Sequence, residues 1–220
     1  MTDIIKVISI LQQKGGVGKT TIAVHLATQI KELFPGIKVA LADADPQKSA
    51  TVWLRDNKEV TGVDVYHVAD DIEGKQLMDE LSAIDADLVI VDLPPAIASI
   101  SMRAALYSDL MLVPVGASAL DIEAAKHAID VCKEAIELDS TKKFLLVPNR
   151  VQMNTAAGRE LRNVLSAWGP VSKTTLCLRV AYADAVMCGV GINTFAPGSP
   201  AYQEIGMLAE EVIQLLKLEV

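Results

Sequence analysis

The sequence predicts a single-domain α/β protein with a mainly parallel β-sheet and helices on both of its faces. Short apolar runs alternate with amphipathic segments along the 220 residues, which is the pattern of consecutive βα units. Hydrophobic residues make up 51% of the chain, enough to bury a sheet on both faces. The length suits one domain, and no internal repeat or low-complexity segment interrupts it.

The first predicted strand leads into a glycine-rich loop. The apolar run Val7–Leu11 is followed by the sequence KGGVGKTT and then by a helical pattern from Ile22. Strand, glycine loop and helix in this order are typical of the phosphate-binding loop of P-loop NTPases. Glycines let backbone N–H groups approach phosphate oxygens, and the helix N-terminus adds positive potential at the same place. The predicted nucleotide-binding residues of this loop are Gly15, Gly16, Val17, Gly18, Lys19, Thr20 and Thr21.

Two side chains of the loop have predicted roles in phosphate chemistry. Lys19 supplies a positive charge for the β- and γ-phosphates, and Thr20 offers a hydroxyl to Mg²⁺. The loop departs from the common pattern G-x-x-x-x-G-K-[S/T], because Gln13 stands where the first glycine would be. Lys14 follows it, so the loop carries a second lysine five residues before the first.

Aspartates end the next predicted strands. The second strand begins near Lys38 and ends in the sequence DADPQ, in which Asp43 and Asp45 point the same way because strand side chains repeat every two residues. A continuous apolar run ends at Asp92, as expected of a buried parallel strand that delivers one carboxylate to a metal site. The sequence predicts a Mg²⁺ site formed by Thr20, Asp43 and Asp92.

This order of motifs resembles the ParA/MinD family of dimeric ATPases with a deviant Walker A loop, and most of all its small ParA-type partition and positioning members. The resemblance spans the whole chain. It implies a lysine at position 14 that reaches across a sandwich dimer and neutralises charge on the partner's transferred phosphoryl group. It also implies that Asp45 orients the attacking water. The catalytic residues of this Mg²⁺-dependent ATPase would therefore be Lys14, Lys19 and Asp45, and the prolines after Asp92 would form a switch region.

A later strand bears on the base of the nucleotide. The run from Phe144 ends in Asn149, and the residues that follow lack the aspartate of the guanine-reading N-K-x-D motif. In the resembled family the matching asparagine bonds adenine, which implies ATP as the nucleotide. The loop around Pro197 is similar to a family segment that packs against the base, and the alternative is a plain connector before the last helix.

The cysteines, the N-terminal residues and the chain length indicate the cellular compartment and the number of domains. Three cysteines, Cys132, Cys177 and Cys188, fit neither a disulfide framework nor a C-x-x-C zinc site. The N-terminus does not have the pattern of a signal peptide, and the chain contains no apolar run of about 18 residues. We therefore expect a cytoplasmic protein of one domain over 1–220, with no room before Lys14 for an N-terminal helix-turn-helix domain.

The charge is unevenly distributed along the chain. The net charge is −8, yet residues 141–180 carry +6, which leaves −14 for the remainder. Leu161, Val164, Leu165 and Trp168 form one face of a predicted helix over 155–168, with arginines opposite. Such a basic face suits sequence-independent phosphate contacts, and the alternative is a solvated surface that balances acid elsewhere. The candidate DNA-binding residues are Arg150, Arg159, Arg162, Lys173 and Arg179.

Together, the motifs and the resemblance imply an ATP-dependent switch. It would form a homodimer around ATP, bind nucleoid DNA without sequence preference and position a cargo. A partner protein on the cargo would activate ATP hydrolysis and thereby release the dimer from the DNA. The cargo would be a plasmid or chromosome partition complex, a carboxysome or a chemoreceptor cluster.

Two alternatives stay open. A MinD-like membrane-associated regulator would need a basic C-terminal helix, but the helix predicted over about 201–218 has only Lys217 near Glu204, Glu210, Glu211 and Glu219. Anionic lipid would repel it, so we expect no membrane binding. A metabolic or redox enzyme of the same fold would be indicated by paired cluster-ligating cysteines, which are absent from the sequence.

Overall fold

The computed structural model describes residues 5–54, 57–68, 75–95 and 98–218. Six strands form one sheet in the order β3-β2-β4-β1-β5-β6, with every neighbouring pair parallel. The predicted mainly parallel sheet is thus confirmed. The strands are β1 (Lys6–Ile10), β2 (Val39–Asp43), β3 (Asp64–His67), β4 (Leu88–Asp92), β5 (Leu110–Val115) and β6 (Lys143–Pro148).

Helices cover both faces of this sheet. Because strand side chains alternate between faces, Ile8 and Ile10 pack in one apolar cluster and Val7 in the other. The first cluster includes residues of α1, α2, α8, α9 and α10, and the second includes residues of α4 to α7. The helices are α1 (Lys19–Leu33), α2 (Ser49–Leu54), α3 (Lys58–Thr61), α4 (Lys75–Ser82), α5 (Ala98–Tyr107), α6 (Ala119–Leu138), α7 (Ala156–Ser166), α8 (Val180–Met187), α9 (Ile192–Phe195) and α10 (Pro200–Leu216).

The C-terminal helix predicted over about 201–218 is present as α10. Helix α6 begins where Ser118 caps it, its hydroxyl accepting a hydrogen bond from the backbone N–H of Asp121. Helix α10 ends at Leu216, because Lys217 adopts a left-handed conformation with φ 55°. The predicted apolar face of α7 is wrong in one position: Leu161 and Leu165 are buried, but Val164 is 42% exposed. Leu161 and Leu165, four residues apart, are the members of α7 in the buried apolar cluster.

The parallel arrangement brings the polar strand ends to one edge. Asp43 and Asp92 lie side by side in the register of β2 and β4. Strand β1, which leads into the glycine loop, lies between β4 and β5. The loop is therefore flanked by the aspartates on one side and by the start of α6 on the other. Among the described residues, none of the helices combines the length and the hydropathy that a membrane span requires.

Candidate nucleotide-binding site

The glycine loop opens a cleft at the carboxyl edge of the sheet. Gly18 is the N-cap residue of α1 with φ 94°, and a Cβ atom there would lie 2.6 Å from Nδ2 of Asn149. Both the backbone conformation and the close approach require glycine at this position. The cleft has a volume of about 490 Å³, within the range of small-molecule sites. Its walls include Gly15, Gly16, Gly18, Lys19, Thr20, Thr21, Asp45, Pro95, Asn149, Leu178, Arg179 and Tyr182.

Lys19 lies at the floor of this nucleotide cleft. The residue is only 7% exposed, and its burial lowers the pKa of the ammonium group below the ordinary lysine value. The carboxylates of Asp92 and Asp45 oppose that shift and favour the charged form. A buried cation beside a phosphate-binding loop has little solvent to compete with an incoming phosphate.

Asp92 is the most unusual carboxylate of the site. It is fully buried, and neither carboxylate oxygen has a hydrogen-bond partner among the described residues. Burial raises its pKa to about 7, although the nearby hydroxyl of Thr20 opposes part of that shift. Such unpaired buried oxygens are costly unless something binds them. The pair Thr20 and Asp92 therefore fits Mg²⁺, a cation that takes few protein ligands and keeps several waters.

Asp43 has a different environment from its neighbour Asp92. Its Oδ2 accepts hydrogen bonds from the backbone N–H and the hydroxyl of Thr51, both at 2.8 Å. Its Oδ1 accepts a bond from the backbone N–H of Asp45 at 3.2 Å. Asp43 thus fixes the loop that carries Asp45, and its role as a metal ligand stays a prediction. The described residues contain no group of three or more His, Cys, Asp or Glu side chains arranged to hold a metal.

Asp45 lies in the wall of the nucleotide cleft. It is half-buried, and its Oδ1 accepts a hydrogen bond of 2.9 Å from the backbone N–H of Gln47. This local turn fixes the carboxylate near the glycine loop, where a water-orienting group is needed.

The end of β6 is bonded directly to the phosphate loop. Nδ2 of Asn149 donates to the carbonyl of Val17 at 2.7 Å, and the guanidinium of Arg150 donates to the carbonyl of Gly16. Asn149 therefore supports the phosphate loop from the end of β6. Arg150 is exposed, has φ 55° and lines the nucleotide cleft, and its contact with DNA stays a prediction. The adenine contact of Asn149 stays a prediction.

A buried carboxylate supports the far wall of the cleft. Glu204 of α10 accepts hydrogen bonds from the guanidinium of Arg179 at 2.6 and 3.0 Å, from the backbone N–H of Cys177 and from the hydroxyl of Tyr182. Glu204 is only 8% exposed, so its expected place on the polar face of the C-terminal helix is wrong. Arg179 is engaged inside its own chain, which leaves it less available to DNA. Glu219 lies outside the described residues.

Three of the predicted DNA contacts lie together around α7. Arg159 and Arg162 are exposed on this helix, and Arg162 donates to the carbonyl of Ser172, which precedes exposed Lys173. The contact joins α7 to the segment that carries Lys173.

Pro197 is exposed in the turn between α9 and α10, and it is not part of the nucleotide cleft wall. Its contact with a base stays a prediction.

Lys14 faces a second cleft on the other side of the loop. This cleft has a volume of about 410 Å³ and is lined by Lys14, Gly116, Ser118, Asp121, Asn149 and Arg150, among others. Nζ of Lys14 lies 2.5 Å from Oδ1 of Asp121. Partial burial acts to raise the pKa of Asp121, but hydrogen bonds from Lys14 and Ser118 outweigh it and hold that pKa below its usual value. Sequence reasoning missed this contact, since no local signal joins residues 107 positions apart.

Comparison with known proteins agrees with this geometry. The CbiA family profile, described as the CobQ/CobB/MinD/ParA nucleotide binding domain, matches residues 8–190. The chain therefore belongs to this family, which confirms the resemblance seen in the motifs.

Two of the curated relatives illustrate matches over nearly the whole chain. The maintenance of carboxysome distribution protein A of Halothiobacillus neapolitanus is 30% identical over 210 residues, covering 94% of this chain and 95% of the relative. The chromosome-partitioning ATPase Soj of Thermus thermophilus is 29% identical, covering 94% of each. The cell division ATPase MinD of Pyrococcus furiosus has the same fold, with a TM-score of 0.76, 20% identity, and coverage of 96% of this chain and 100% of that one.

Proposed function

We propose that this protein is an ATP-hydrolysing spatial switch that dimerises on ATP and positions a cargo. The observation that carries the proposal is the separation of the two lysines of one loop. Lys19 lies in the nucleotide cleft of its own chain, whereas Lys14 lines the second cleft, on the outer side of the loop. A lysine placed there is suited to a phosphate that another protomer holds, as the family resemblance implies.

The nucleotide chemistry follows from the residues of the first cleft. The loop N–H groups and Lys19 would bind the phosphates of ATP, and Thr20 and Asp92 would hold Mg²⁺. When bound, Mg²⁺ neutralises charge on the phosphate oxygens. Asp45 would orient the attacking water, because it lies in the cleft wall with its carboxylate fixed by Gln47. In the dimer, Lys14 of the partner protomer would supply the remaining positive charge.

The DNA-binding surface is proposed for the region around α7. Arg159, Arg162 and Lys173 are exposed, and the bond from Arg162 to Ser172 joins α7 to the segment that carries Lys173, so a dimer would present two such basic regions to DNA. Contacts of this kind neutralise phosphates without reading sequence, which suits nucleoid binding by a cytoplasmic protein. Arg150 and Arg179 have smaller parts in this proposal, because both line the nucleotide cleft.

The cargo is proposed from the relatives. Near-complete alignment with a carboxysome distribution protein favours a carboxysome or a similar protein body. A DNA partition complex is the second candidate, favoured by near-complete alignment with a chromosome-partitioning ATPase. In either case a cargo-bound partner would stimulate hydrolysis and release the switch from DNA.

Binding to non-specific duplex DNA tests the proposal directly. It should be measured without nucleotide, with ADP and with a non-hydrolysable ATP analogue, at two salt concentrations. We expect binding with the analogue only, weakened by salt because counterions are released. Arg159→Gln should weaken this binding and reduce its salt dependence, whereas Lys38→Gln, just before the start of β2 and remote from α7 in the strand order, should not. Equal DNA binding in all nucleotide states, or no hydrolysis of ATP, would refute the switch.

A further inference from the structure

His25 is a fully buried residue of α1, the helix that begins at Lys19. Its Nδ1 accepts a hydrogen bond of 2.9 Å from the backbone N–H of Ile192, and its Nε2 lies 3.4 Å from the carbonyl oxygen of Tyr182. Tyr182 belongs to α8, and Ile192 is the first residue of α9. One imidazole of α1 therefore contacts the backbone at both ends of the segment 182–192.

The two backbone partners determine where the imidazole carries its proton. The N–H group of Ile192 can only donate, so Nδ1 of His25 must accept. The proton of the neutral ring is then on Nε2, which faces the carbonyl oxygen of Tyr182, an acceptor. Burial lowers the pKa of His25 to about 4, so the ring is neutral at neutral pH. Each ring nitrogen thus meets a backbone group of the complementary kind.

Helix α8 forms part of the wall of the nucleotide cleft. Tyr182, Ala183 and Val186 line this cleft, and the last two present apolar side chains to it. The phosphate loop offers N–H groups and Lys19 to phosphates, whereas an apolar wall suits a base and a ribose. The position of α8 therefore bears on the nucleoside half of a bound nucleotide more than on its phosphates.

The segment between α8 and α9 packs closely on its neighbours. Nε1 of Trp53 in α2 donates to the carbonyl of Val190 at 3.1 Å, and the ring of Trp53 meets that of His25 edge to face, with centroids 5.0 Å apart. A Cβ atom at Gly191 would lie 2.0 Å from Oγ1 of Thr28 in α1. His25 thus bonds to a segment that has little room to shift, so α1 and α8 are held in one relative position.

We propose that His25 is a positioning residue for nucleotide binding, which holds α8 against the helix that carries Lys19 and so fits the cleft to the base and ribose of the ligand. The inference rests on the proposed function, in which this cleft binds an adenine nucleotide. His25 is not part of the cleft wall, so it acts through α8 and touches no part of the ligand. Without its Nδ1, the buried N–H of Ile192 would lose its acceptor, and a buried unpaired donor favours movement of the segment.

The test compares ADP with inorganic pyrophosphate by isothermal titration calorimetry in the presence of Mg²⁺. ADP carries a base and a ribose, pyrophosphate carries phosphates alone, and neither supplies the third phosphate that the proposed dimer needs. His25→Leu should raise the dissociation constant for ADP about fivefold, the effect of one lost hydrogen bond. The constant for pyrophosphate should stay within about twofold, because separate sites contribute almost additively. A merely structural role would weaken both ligands by the same factor, since it lowers the fraction of folded protein.

Two further variants make the comparison specific. Asn and Leu side chains have the same heavy-atom skeleton, but Asn offers Oδ1 as an acceptor near the place of Nδ1. His25→Asn should therefore bind ADP about threefold or more tightly than His25→Leu. Gln29→Met is the control from the same face of α1, because the buried amide of Gln29 has no hydrogen-bond partner among the described residues. It should leave both dissociation constants within about twofold.

A measurement on the wild type covers the case in which His25→Leu does not fold. If the hold on α8 favours a bound nucleoside, the nucleoside must favour the hold to the same extent, because coupling between sites is reciprocal. Hydrogen exchange of the Ile192 amide reports the hold, since this amide donates to His25. ADP should slow this exchange more than pyrophosphate does, at ligand concentrations that stabilise the protein equally.

The outcomes distinguish a failure of the positioning role from a failure of the proposed function. If the wild type binds ADP but His25→Leu changes both dissociation constants by the same factor, or changes neither, the positioning role is overturned and nucleotide binding stands. The role is also overturned if His25→Asn binds ADP no better than His25→Leu, or if both ligands slow the Ile192 amide equally. If the wild type binds neither ADP nor ATP, the proposed function fails and the role of His25 fails with it.

Discussion

Lys14 and Lys19 belong to one loop, five residues apart, yet they occupy contrasting environments. Lys19 is 7% exposed, has a lowered pKa because of burial, and faces buried Asp92. Lys14 is half-exposed and pairs with Asp121 at the rim. The loop turns between them, so one lysine faces each of the two clefts.

The two lysines differ in how much solvent surrounds their charges. The buried side is rigid and poorly solvated, so charges there act strongly on a bound phosphate and are costly when unpaired. The rim side is solvated, so its ion pair is weak and can exchange partners. We therefore expect large effects of substitutions on the buried side and small, salt-dependent ones at the rim.

Lys19→Ala should have the largest effect. Removing the buried cation from the phosphate site should weaken ATP binding by about 1,000-fold, as loss of a charged stabilising group in a closed site does. Titration with a fluorescent ATP analogue measures this, and circular dichroism checks that the variant is folded. Retention of near-native affinity by a folded variant would break the distinction between the two lysines.

The buried charge of Asp92 should reduce the stability of the empty protein. Its pKa is raised from 3.8 to about 7, so the folded state binds the extra proton and stability falls as pH rises through this window. We expect a loss of about 4 kcal/mol between pH 4 and pH 8 that is specific to Asp92. Denaturant unfolding of wild type and Asp92→Asn over this range measures it as a difference.

The comparison of wild type with Asp92→Asn is needed because another buried group titrates in the opposite sense. Burial lowers the pKa of His25 from 6.5 to about 4, so its contribution to stability is lost as pH falls from 6.5 towards 4. The two slopes partly cancel in wild type. A pH profile of Asp92→Asn parallel to that of wild type would contradict the assigned Asp92 shift.

Asp45→Ala should slow turnover while leaving binding intact. Asp45 lies in the cleft wall and is not part of the phosphate-binding loop, so its loss should leave ATP binding intact. Without the group that orients the attacking water, ATP hydrolysis should slow by about 100-fold. Single-turnover hydrolysis and analogue binding, measured on the same preparation, separate the two steps. Rapid hydrolysis by this variant would remove Asp45 from its role with the attacking water.

Lys14→Ala should have the smallest effect on the nucleotide of its own chain. Because Lys14 faces the second cleft, monomer affinity for ATP should change by less than about threefold. The same titration as for Lys19→Ala, performed at protein concentrations below dimerisation, measures it. A loss comparable to that of Lys19→Ala would show that both lysines serve one nucleotide.

Local sequence was sufficient for much of this protein. Periodicity placed the C-terminal helix over about 201–218, where α10 lies, and apolar runs ending in Asp43 and Asp92 located two buried strands. These signals are strong because backbone geometry fixes the spacing of buried side chains. Periodicity failed at Val164 and at Glu204, where burial depends on what packs opposite the helix.

The sequence by itself determined the α/β class, the phosphate loop and the acidic strand ends, because each is encoded within a few neighbouring residues. The tertiary structure decided the pairing of Lys14 with Asp121, of Asn149 with Val17 and of Arg179 with Glu204. The first two join segments more than 100 residues apart. They form because the sheet order places β5 beside β1 and β6 beside β5, and a linear pattern carries no record of which strands become neighbours.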